Sequence, residues 1–421
     1  MRKYLLIVMV CCFLQAKAQD ALLFRDCLEM AAGNAPRLLD RELIDAQGQL
    51  KMENVKRSWY PGLDLNGKAT YQSDVISLQL DQPGFSFDFP EMPNEQFGLN
   101  LDVSQVLYDG GLSRSRRAYE SATTEVALQQ VQVDLHALKQ QVAGIFFSTL
   151  MLQANRKNLV VALENLSARE KVLQSAVENG VAEESDLKVI QVEMLKTLQS
   201  ISELDARRKG ALRALSVYMG QDIHETTLLE QPVLELNGAD SLQRPEITCF
   251  RRSAELLDAG KELQQVKRRP RLFAFGQAGV GMPGYNMLND QVDSYYMVGA
   301  RVQWNIWDWN MVSREQQVLE KQKQVLEHAQ ETFSIQVRAG IENELAQAEH
   351  YRNAMALDDK MLQMRMEITA AAASKVDNGV ISATEYMQVL NEEQLARIAR
   401  NDHHIRLLQS MANIHLLKGT L

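Results

Sequence analysis

Apolar residues recur at every seventh position along a stretch without proline, residues 113–179. The series is Val131, Leu138, Ile145, Leu152, Leu159, Leu166 and Leu173, and Leu128, Leu135 and Val142 interleave with its first half. Spacing of 3.5 residues keeps one seam of a helix against a partner only if the helix supercoils left-handedly. At 1.5 Å per residue, this helix would be roughly 100 Å long. The pattern alone is equally typical of an ordinary cytosolic coiled coil.

The prolines divide the rest of the chain. All nine lie outside residues 94–231 and 284–421, and both of these tracts contain 138 residues (231 − 93 = 421 − 283 = 138). Because proline disrupts helix interiors, equal tracts without it predict two equal helical blocks.

An internal repeat supports this division. Tyr108-Asp109 recurs as Trp307-Asp308, and Asn179-Gly180-Val181 recurs as Asn378-Gly379-Val380. Both pairs are offset by 199 positions (307 − 108 = 378 − 179 = 199), so the helices between them are equally long. The sequence therefore predicts a tandem duplication.

These signals predict a mixed α and β fold that is predominantly α. We expect a signal peptide at 1–18, a first structural repeat at 19–220, a linker at 221–244 and a second repeat at 245–421. The first repeat would hold a helix, two strands within 61–108 and a helical hairpin at 112–219. The second would hold a helix, two strands within 270–307 and a hairpin at 312–418, with loops at 81–95 and 281–293 joining each strand pair. Ser382 and Glu385 form a capping-box pattern at the start of the last helix.

The predicted strands alternate between apolar and polar residues. Phe97, Leu99, Leu101 and Val103 alternate with polar or small residues, as do Tyr296, Val298, Ala300, Val302, Trp304 and Ile306. One apolar face over about ten residues is typical of an outer-membrane barrel strand. Aromatic residues gather at the strand–helix junctions: Trp59, Tyr60, Tyr108, Trp304, Trp307 and Trp309. Amphipathic rings concentrate at membrane–water interfaces, so they predict an aromatic girdle, whereas a soluble sandwich would scatter its tryptophans through the strands.

Four strands cannot close a barrel, and open sheet edges do not occur in lipid. The residues alone therefore predict an oligomeric barrel that several copies of the chain complete.

The N-terminus indicates export. Arg2 and Lys3 precede an apolar run at 4–14, and an Ala-x-Ala cleavage pattern ends at Ala18. Cleavage there removes Arg2, Lys3 and Lys17, so the net charge falls from −9 to −9 − 3 = −12. This acidic balance argues against a nucleic-acid partner. Lipid anchoring at Cys11 or Cys12 is disfavoured, but the sequence does not exclude it.

Two cysteines remain after cleavage, Cys27 and Cys249, and the sequence does not decide whether they pair. No other run approaches the eighteen or so apolar residues of a membrane-spanning helix.

Together these features resemble the TolC-type outer-membrane efflux proteins, over essentially the whole mature chain. The residues that carry the resemblance are Asn34-Ala35-Pro36, Trp59-Tyr60-Pro61, Tyr108-Asp109-Gly110-Gly111 and the turns at Gly180 and Gly379. The resemblance implies a homotrimer in which a long coiled-coil helical barrel continues a 12-stranded transmembrane β-barrel, four strands per chain. It also implies a passive exit duct from periplasm to exterior. Such a duct serves tripartite efflux or type I secretion and docks on a periplasmic adaptor and an inner-membrane transporter.

The resemblance places adaptor docking and gating at the helix tips. The docking tips would be Asn179, Gly180 and Val181 in the first repeat and Asn378, Gly379 and Val380 in the second. Asp186, Glu385 and Gln388 hold positions where family members carry a periplasmic gate or acidic ring. Asp186 and Glu385 also hold the third helical position, where the helix dipole stabilises an acidic side chain. Both interpretations, a gate residue and a helix cap, are therefore left open for them. Val376 and Ile381 replace the aromatic and the arginine of the best-known gate network, so this chain departs from that network.

Other protein classes fit less well. The seven histidines show no metal-ligand spacing, and no nucleophile, phosphate-loop or paired-cysteine motif is present, so we predict no enzyme, no cofactor and no metal site. The alternatives are a structural periplasmic coiled-coil envelope protein and an adaptor without a pore. The sequence gives neither the exported substrate nor the class of pump.

Overall fold

The structure is a computed structural model that describes residues 21–75, 79–82, 85–88, 92–235, 242–286 and 291–421. The predicted signal peptide lies outside the described residues, as do residues 236–241 of the predicted linker. The chain divides into two compact units. The helical unit comprises the described residues of Met1–Asp40, Gln130–Thr248 and Gln330–Leu421, and the strand unit those of Arg41–Gln129 and Cys249–Ala329.

Seven α-helices and six β-strands are found in the described ranges. In chain order, they are α1 (Phe24–Asn34), α2 (Pro36–Arg57), β1 (Gly62–Tyr71), β2 (Gln79–Gln82), β3 (Phe85–Asp88), β4 (Glu95–Tyr108), α3 (Leu112–Glu178), α4 (Glu184–Met219), α5 (Pro245–Gln265), β5 (Arg271–Met282), β6 (Asp293–Gln303), α6 (Met311–Asp377) and α7 (Ala383–Lys418). A 3₁₀ turn at Val266–Arg268 follows α5.

The long helices have matched lengths. Helices α3 and α6 contain 67 residues each, and α4 and α7 contain 36 each. The prediction of equally long helices in the two halves is confirmed.

The N-terminal segment contains a helix that the sequence pattern did not single out. Helix α1 ends at Asn34, and Ala35 is extended with ψ 124°. A residue before proline is disfavoured in the helical conformation, so Pro36 ends α1 and starts α2.

The helical unit has an aromatic core. Phe24 of α1 lies 5.1 Å and 5.2 Å, between ring centroids, from Phe146 and Phe147 of α3. Leu215 of α4 and Leu416 of α7 complete the same buried cluster. Tilted and edge-on ring pairs at these distances add to the stabilisation from burial alone. Helix α1 is thus held by packing against α3, α4 and α7.

The start of the linker is fixed to this core by hydrogen bonds. The amide group of Gln153 donates to the carbonyl of Leu229 and accepts from its N–H, both at 3.0 Å. Leu229 in turn forms a parallel bridge with Leu22. Both guanidinium Nη atoms of Arg208 donate to linker carbonyls, those of Glu225 and Thr227. Residues 225–229 of the linker are therefore held by polar side chains of α3 and α4.

A second cluster joins the distal ends of the two hairpins. Its buried members are Leu166, Ile190, Ala372, Tyr386, Met387 and Leu390. The guanidinium of Arg169 lies 4.9 Å from the ring centroid of Tyr386, within the range of a cation–π contact. Residues of α3, α4, α6 and α7 therefore share one core at this end.

The strand unit contains one four-stranded antiparallel sheet in the order β1-β4-β5-β6. The central β4–β5 pair joins the two halves of the chain, with Leu101 opposite Ala278. Strands β1 and β6 form the two edges.

The register divides the sheet into an apolar and a largely polar face. Leu65, Leu101, Ala278 and Tyr296 lie in one row across the four strands, and Asp64, Asp102, Gln277 and Met297 form the neighbouring row on the other face. The described residues leave the apolar face uncovered, since Leu65 and Tyr296 are 69% and 82% exposed. The predicted alternation is confirmed.

Two details of the strand prediction were wrong. The expected loop at 81–95 begins within a hairpin, because β2 and β3 pair as two short antiparallel strands, so 61–108 holds four strands rather than two. The alternation Phe85-Ser86-Phe87-Asp88 is the local signal for this hairpin. Strand β6 ends at Gln303, so Trp304 and Ile306 lie outside it. The indole of Trp304 donates instead to the carbonyl of Arg268 at 3.0 Å.

Candidate functional site

The junction between β4 and α3 is an aspartate-capped turn. The Asp109 carboxylate accepts from the backbone N–H of Gly111 at 2.8 Å and from that of Ser113 at 2.7 Å. These bonds satisfy N–H groups that a helix start leaves unpaired. Gly110 and Gly111 both have positive φ, 68° and 91°. A Cβ at Gly110 would lie 2.9 Å from the Arg269 Cβ and 3.0 Å from the Pro270 carbonyl oxygen, so glycine is required there.

The second repeat builds the same turn from different residues. The Asp308 carboxylate accepts from the N–H groups of Asn310 at 3.0 Å and Val312 at 3.2 Å. Trp309 and Asn310 adopt positive φ values of 52° and 61°. Asparagine tolerates this conformation, whereas a tryptophan there is uncommon and costs backbone energy. The junction thus holds an exposed indole at a position that suits glycine better.

The six predicted girdle residues all lie at these junctions in the strand unit, and all are exposed: Trp59, Tyr60, Tyr108, Trp304, Trp307 and Trp309. The indole N–H of Trp59 donates to the Ser113 hydroxyl at 2.9 Å. The rings of Trp307 and Trp309 meet edge-on at 5.7 Å. The polar edges of Trp59 and Trp304 are therefore anchored while the rings stay exposed.

Both capping aspartates have a pKa below the ordinary value. For Asp109, desolvation raises the pKa, but hydrogen bonds from the Ser113 side chain and from the backbone of Ser113 and Gly111 outweigh it. For Asp308, the hydrogen bond from the Arg268 guanidinium is the largest cause, and the two atoms of that pair are 3.2 Å apart. The charged carboxylates are thus the forms that the turns favour.

The tips in the helical unit are matched glycine turns. Gly180 and Gly379 have φ values of 72° and 69°. The N–H of Val181 donates to the carbonyl of Ala176, and that of Val380 to the carbonyl of Lys375, both at 2.9 Å. These bonds cap the C-terminal ends of α3 and α6, and they require the left-handed backbone conformation that the two glycines adopt. The Asn179 and Asn378 amides each donate to a carbonyl four residues earlier at 2.7 Å. Val181 and Val380 are left 79% and 68% exposed.

Of the three predicted gate residues, Glu385 has a clear structural role. The Ser382 N–H donates to the Glu385 carboxylate at 2.9 Å, and the Glu385 N–H donates to the Ser382 hydroxyl at 3.2 Å. The capping box predicted for α7 is confirmed. Asp186 lies half-buried in the first turn of α4, and Gln388 is exposed on α7. The cap interpretation of Glu385 therefore holds, and its charge remains on the exposed tip.

Val376 and Ile381 pack against the distal apolar cluster. These two apolar side chains therefore contribute packing at the tip and cannot form side-chain hydrogen bonds there.

Polar contacts between α6 and α7 were not predicted. The Arg400 Nε lies 2.5 Å from the Asp359 carboxylate, Arg365 pairs with Glu392, and the His403 Nδ1 lies 2.6 Å from the Asp358 carboxylate. Asp358 is almost fully buried. The heptad pattern identifies apolar seams only, so it carried no signal for these pairs. They join the two helices of the second hairpin along one side.

The cysteines do not form a bridge. Cys27 is a free thiol in the aromatic core, and burial, followed by the Asp26 charge, raises its pKa to about 12. It therefore stays protonated and unreactive.

In the ranges that the structure covers, no group of three or more His, Cys, Asp or Glu residues is placed to hold a metal ion. No helix in the same ranges is long and apolar enough to cross a membrane.

The sequence of the first repeat resembles a known family. The model of the outer membrane efflux protein family matches residues 27–221. Over these residues, a little under half of the chain, the sequence is similar to that family. No curated protein matches the chain in sequence.

Solved structures of outer-membrane proteins share the fold along almost the whole chain. The outer membrane protein VceC from Vibrio cholerae is 15% identical with a TM-score of 0.67, over 94% of this chain and 96% of that one. The CmeC outer membrane channel of Campylobacter jejuni is 15% identical with a TM-score of 0.64, over 94% and 85%. The open-state MtrE outer membrane channel of Neisseria gonorrhoeae is 14% identical with a TM-score of 0.64, over 94% and 88%. At these identities the likeness establishes the fold, including that of the second repeat.

Substitutions at Asp109 should distinguish the contribution of the capping hydrogen bonds from that of the negative charge. We expect Asp109→Ala to cost about 1 kcal/mol of stability, and Asp109→Asn much less, because asparagine also accepts from a helix start. The lowered pKa means that the contribution of the carboxylate is present above the unfolded value of about 3.9 and is lost as the pH falls through the folded value. Thermal unfolding measured between neutral and acidic pH checks this. A stability difference between the wild type and Asp109→Ala that stays constant down to strong acid would contradict it.

The α7 capping box offers a matched pair of substitutions. Ser382→Ala removes the hydroxyl acceptor and should cost about 1 kcal/mol. Glu385→Gln keeps the reciprocal bond, since glutamine also completes a capping box, and should leave stability nearly unchanged. Thermal unfolding of both variants beside the wild type is the measurement. Equal losses would contradict this expectation and mean that the Glu385 charge contributes as much to the helix start as the Ser382 hydroxyl.

Proposed function

We propose that this chain is the outer-membrane channel of a tripartite efflux or type I secretion system, a passive exit duct from the periplasm to the exterior. The observation that carries the proposal is the four-stranded sheet, with its uncovered apolar face, polar second face and two open edges. An apolar face toward lipid and a polar face toward a lumen are the properties of a transmembrane barrel wall.

The open edges support a homotrimer. Strands β1 and β6 are the outer members of the sheet, and unpaired backbone groups are too costly in lipid to remain there. Pairing β6 of one copy with β1 of the next closes a barrel without a free edge. Three copies give twelve strands, as the resemblance to the TolC-type family implies.

The exposed aromatic rings support the position of the membrane boundary. Trp59 and Trp304 hold their indole N–H groups in hydrogen bonds to the junction while their rings stay exposed. Tryptophan and tyrosine favour the headgroup level of a bilayer. The periplasmic interface of the barrel would thus lie at the strand–helix junctions.

The tips are the proposed docking sites for a periplasmic adaptor, which would link the duct to an inner-membrane transporter. Asn179, Gly180, Val181, Asn378, Gly379 and Val380 form two similar turns. Each turn leaves one valine largely exposed, although contact of an apolar side chain with water is unfavourable. Paired exposed valines at matched geometry suit a partner that contacts both repeats in the same way.

Asp186, Glu385 and Gln388 would line the periplasmic gate of the assembled duct. Glu385 combines this role with its capping box, so Glu385→Gln removes charge while the helix start is retained. Loss of three carboxylates from a narrow mouth should lower its preference for cations.

The mass of the membrane species tests the assembly directly. We expect the protein extracted from the outer membrane in mild detergent to have about three times the mature chain mass by light scattering corrected for detergent, since three copies close the edges. A monomer or dimer recovered from the periplasm would contradict the duct and favour a structural coiled-coil envelope protein.

Neighbouring residues of β6 test which face meets lipid. Val298 lies on the apolar face and is 77% exposed, and Met297 lies on the opposite face. Val298→Arg should cost about 2–4 kcal/mol near the bilayer midplane and deplete the protein from the outer membrane, whereas Met297→Arg should be tolerated in a water-filled lumen. Immunoblots of fractionated membranes measure both. Equal depletion of the two variants would reject the face assignment.

A further inference from the structure

An apolar groove runs between α5 and α6 within the strand unit. It has a volume of about 800 Å³, and its lining includes Leu256 and Leu257 of α5 and Val318, Val325 and Leu326 of α6. Val325 is 67% exposed. The described residues therefore leave open an apolar cleft, and exposed apolar patches of this kind mark interaction surfaces.

A second exposed apolar surface lies on α2. Leu43 and Leu50 are seven residues apart, so they lie on one face of the helix, and they are 62% and 61% exposed. Another face of α2 packs closely on α3, since a Cβ at Gly48 would lie 2.5 Å from the Thr124 Oγ1. The leucine stripe of α2, Leu43 and Leu50, is thus left without a neighbouring helix among the described residues.

Contacts between the two repeats show how such helices meet within one chain. The Tyr119 ring of α3 lies 3.7 Å from the position of a Cβ on Gly260 of α5. The Arg252 guanidinium of α5 lies 3.8 Å from the Glu125 carboxylate of α3. Helix α3 follows β4 and helix α5 precedes β5, and these two strands pair. The contact between the central strands therefore continues into the helices attached to them.

The edge strands carry the equivalent pair of helices. Helix α6 follows β6 and helix α2 precedes β1. Helix α6 begins 199 positions after α3 (311 − 112 = 199). Helix α5 begins 209 positions after α2 (245 − 36 = 209). Each contact between α3 and α5 can therefore be transferred to α6 of one copy and α2 of another.

These offsets bring the two exposed apolar surfaces into register. The Tyr119–Gly260 pair corresponds to Val318–Lys51 (119 + 199 = 318, 260 − 209 = 51), and the Glu125–Arg252 pair to Gln324–Leu43 (125 + 199 = 324, 252 − 209 = 43). Leu50 adjoins Lys51, so it would lie at the level of Val318. Val325 adjoins Gln324, so it would lie at the level of Leu43.

Charges beside the two surfaces are complementary. The groove lining includes Arg314 and Lys321 and, among the described residues, no carboxylate. Glu42 and Glu53 adjoin the leucine stripe of α2, directly before it and one turn after it. The cations of α2 beyond residue 40 lie on its α3 side or in its last turn: Arg41, Lys51, Lys56 and Arg57. Opposite charges at the rim favour the correct partner and register.

We propose that the groove between α5 and α6 receives α2 of a second copy of this chain. Leu50 packs against Val318 there. Leu43 packs against Val325, two helical turns away. The inference rests on the proposed function, because closing the β6–β1 edge brings the two helices together. It adds the helical surfaces and their register, in which copies join as the two repeats of one chain do.

Cross-linking of the full-length protein tests this register. Leu43→Cys and Val325→Cys are combined in a Cys249→Ser background, since Cys27 is buried. A short bis-maleimide applied to outer membranes should link neighbouring copies, because the axes of packed helices are about 8–10 Å apart. Most of the chain should then migrate on a denaturing gel at about two and three times its own mass, as linked copies of a closed ring would.

Leu43→Cys combined with Glu327→Cys is the matched control. Glu327 is exposed and lies two residues beyond Val325, so it is at nearly the same level but on the opposite side of α6. This pair and each single-cysteine variant should stay at the mass of one chain. Within a chain, α3 and α5 lie between α2 and α6, so a link must join two copies.

Three outcomes would overturn the inference. One is a link from Glu327 as strong as that from Val325, and another is a link from Val325 to a protein of a different mass. The third is no link in a protein whose detergent-extracted species has the mass of three copies, which would leave the duct intact. A species with the mass of a single chain would instead count against the proposed function itself.

Discussion

The backbone of the two edge strands imposes the constraint on which the structure depends. Strands β1 and β6 each present one side of N–H and C=O groups that no other strand of the sheet pairs. Water satisfies such groups on a soluble protein, but the apolar face beside them suits a medium without water. The sheet of a single chain therefore leaves these edge groups for a medium or a partner to satisfy. Repetition within the chain builds the sheet, because each repeat supplies two of its four strands.

The two repeats show how far the residues can diverge while the geometry is kept. Asp109 and Asp308 cap their helices through equivalent backbone groups. The two positions after them have positive φ in both repeats, filled by glycines in one and by Trp309 and Asn310 in the other. The aspartate is retained because its bonds start the helix. At the next position, the second repeat has a less favourable backbone conformation and an exposed indole, that of Trp309.

Periodicity predicted the parts of the fold in which one physical signal repeats over many residues. The long helices, the equal halves and the two faces of the sheet follow from spacings of 3.5 and 2 residues. Helix α1 was missed, although Phe24, Cys27, Leu28 and Ala31 have helical spacing, because eleven residues give a weak signal. The ion pairs of α6 with α7 depend on pairing across elements, which sequence spacing does not carry. The Glu385 box was predictable because its partners lie three residues apart.

The register of the sheet has a consequence for the order in which the protein matures. Leu101 and Ala278 are cross-strand partners although 177 positions separate them (278 − 101 = 177). Helical hairpins form from local contacts, whereas a pairing this distant must first close a very long loop. The central β4–β5 contact is thus the slow one, and it needs most of the chain to have been made. Until it forms, the apolar face is divided between the β1–β4 pair and the β5–β6 pair, so neither half of the chain presents the whole of it.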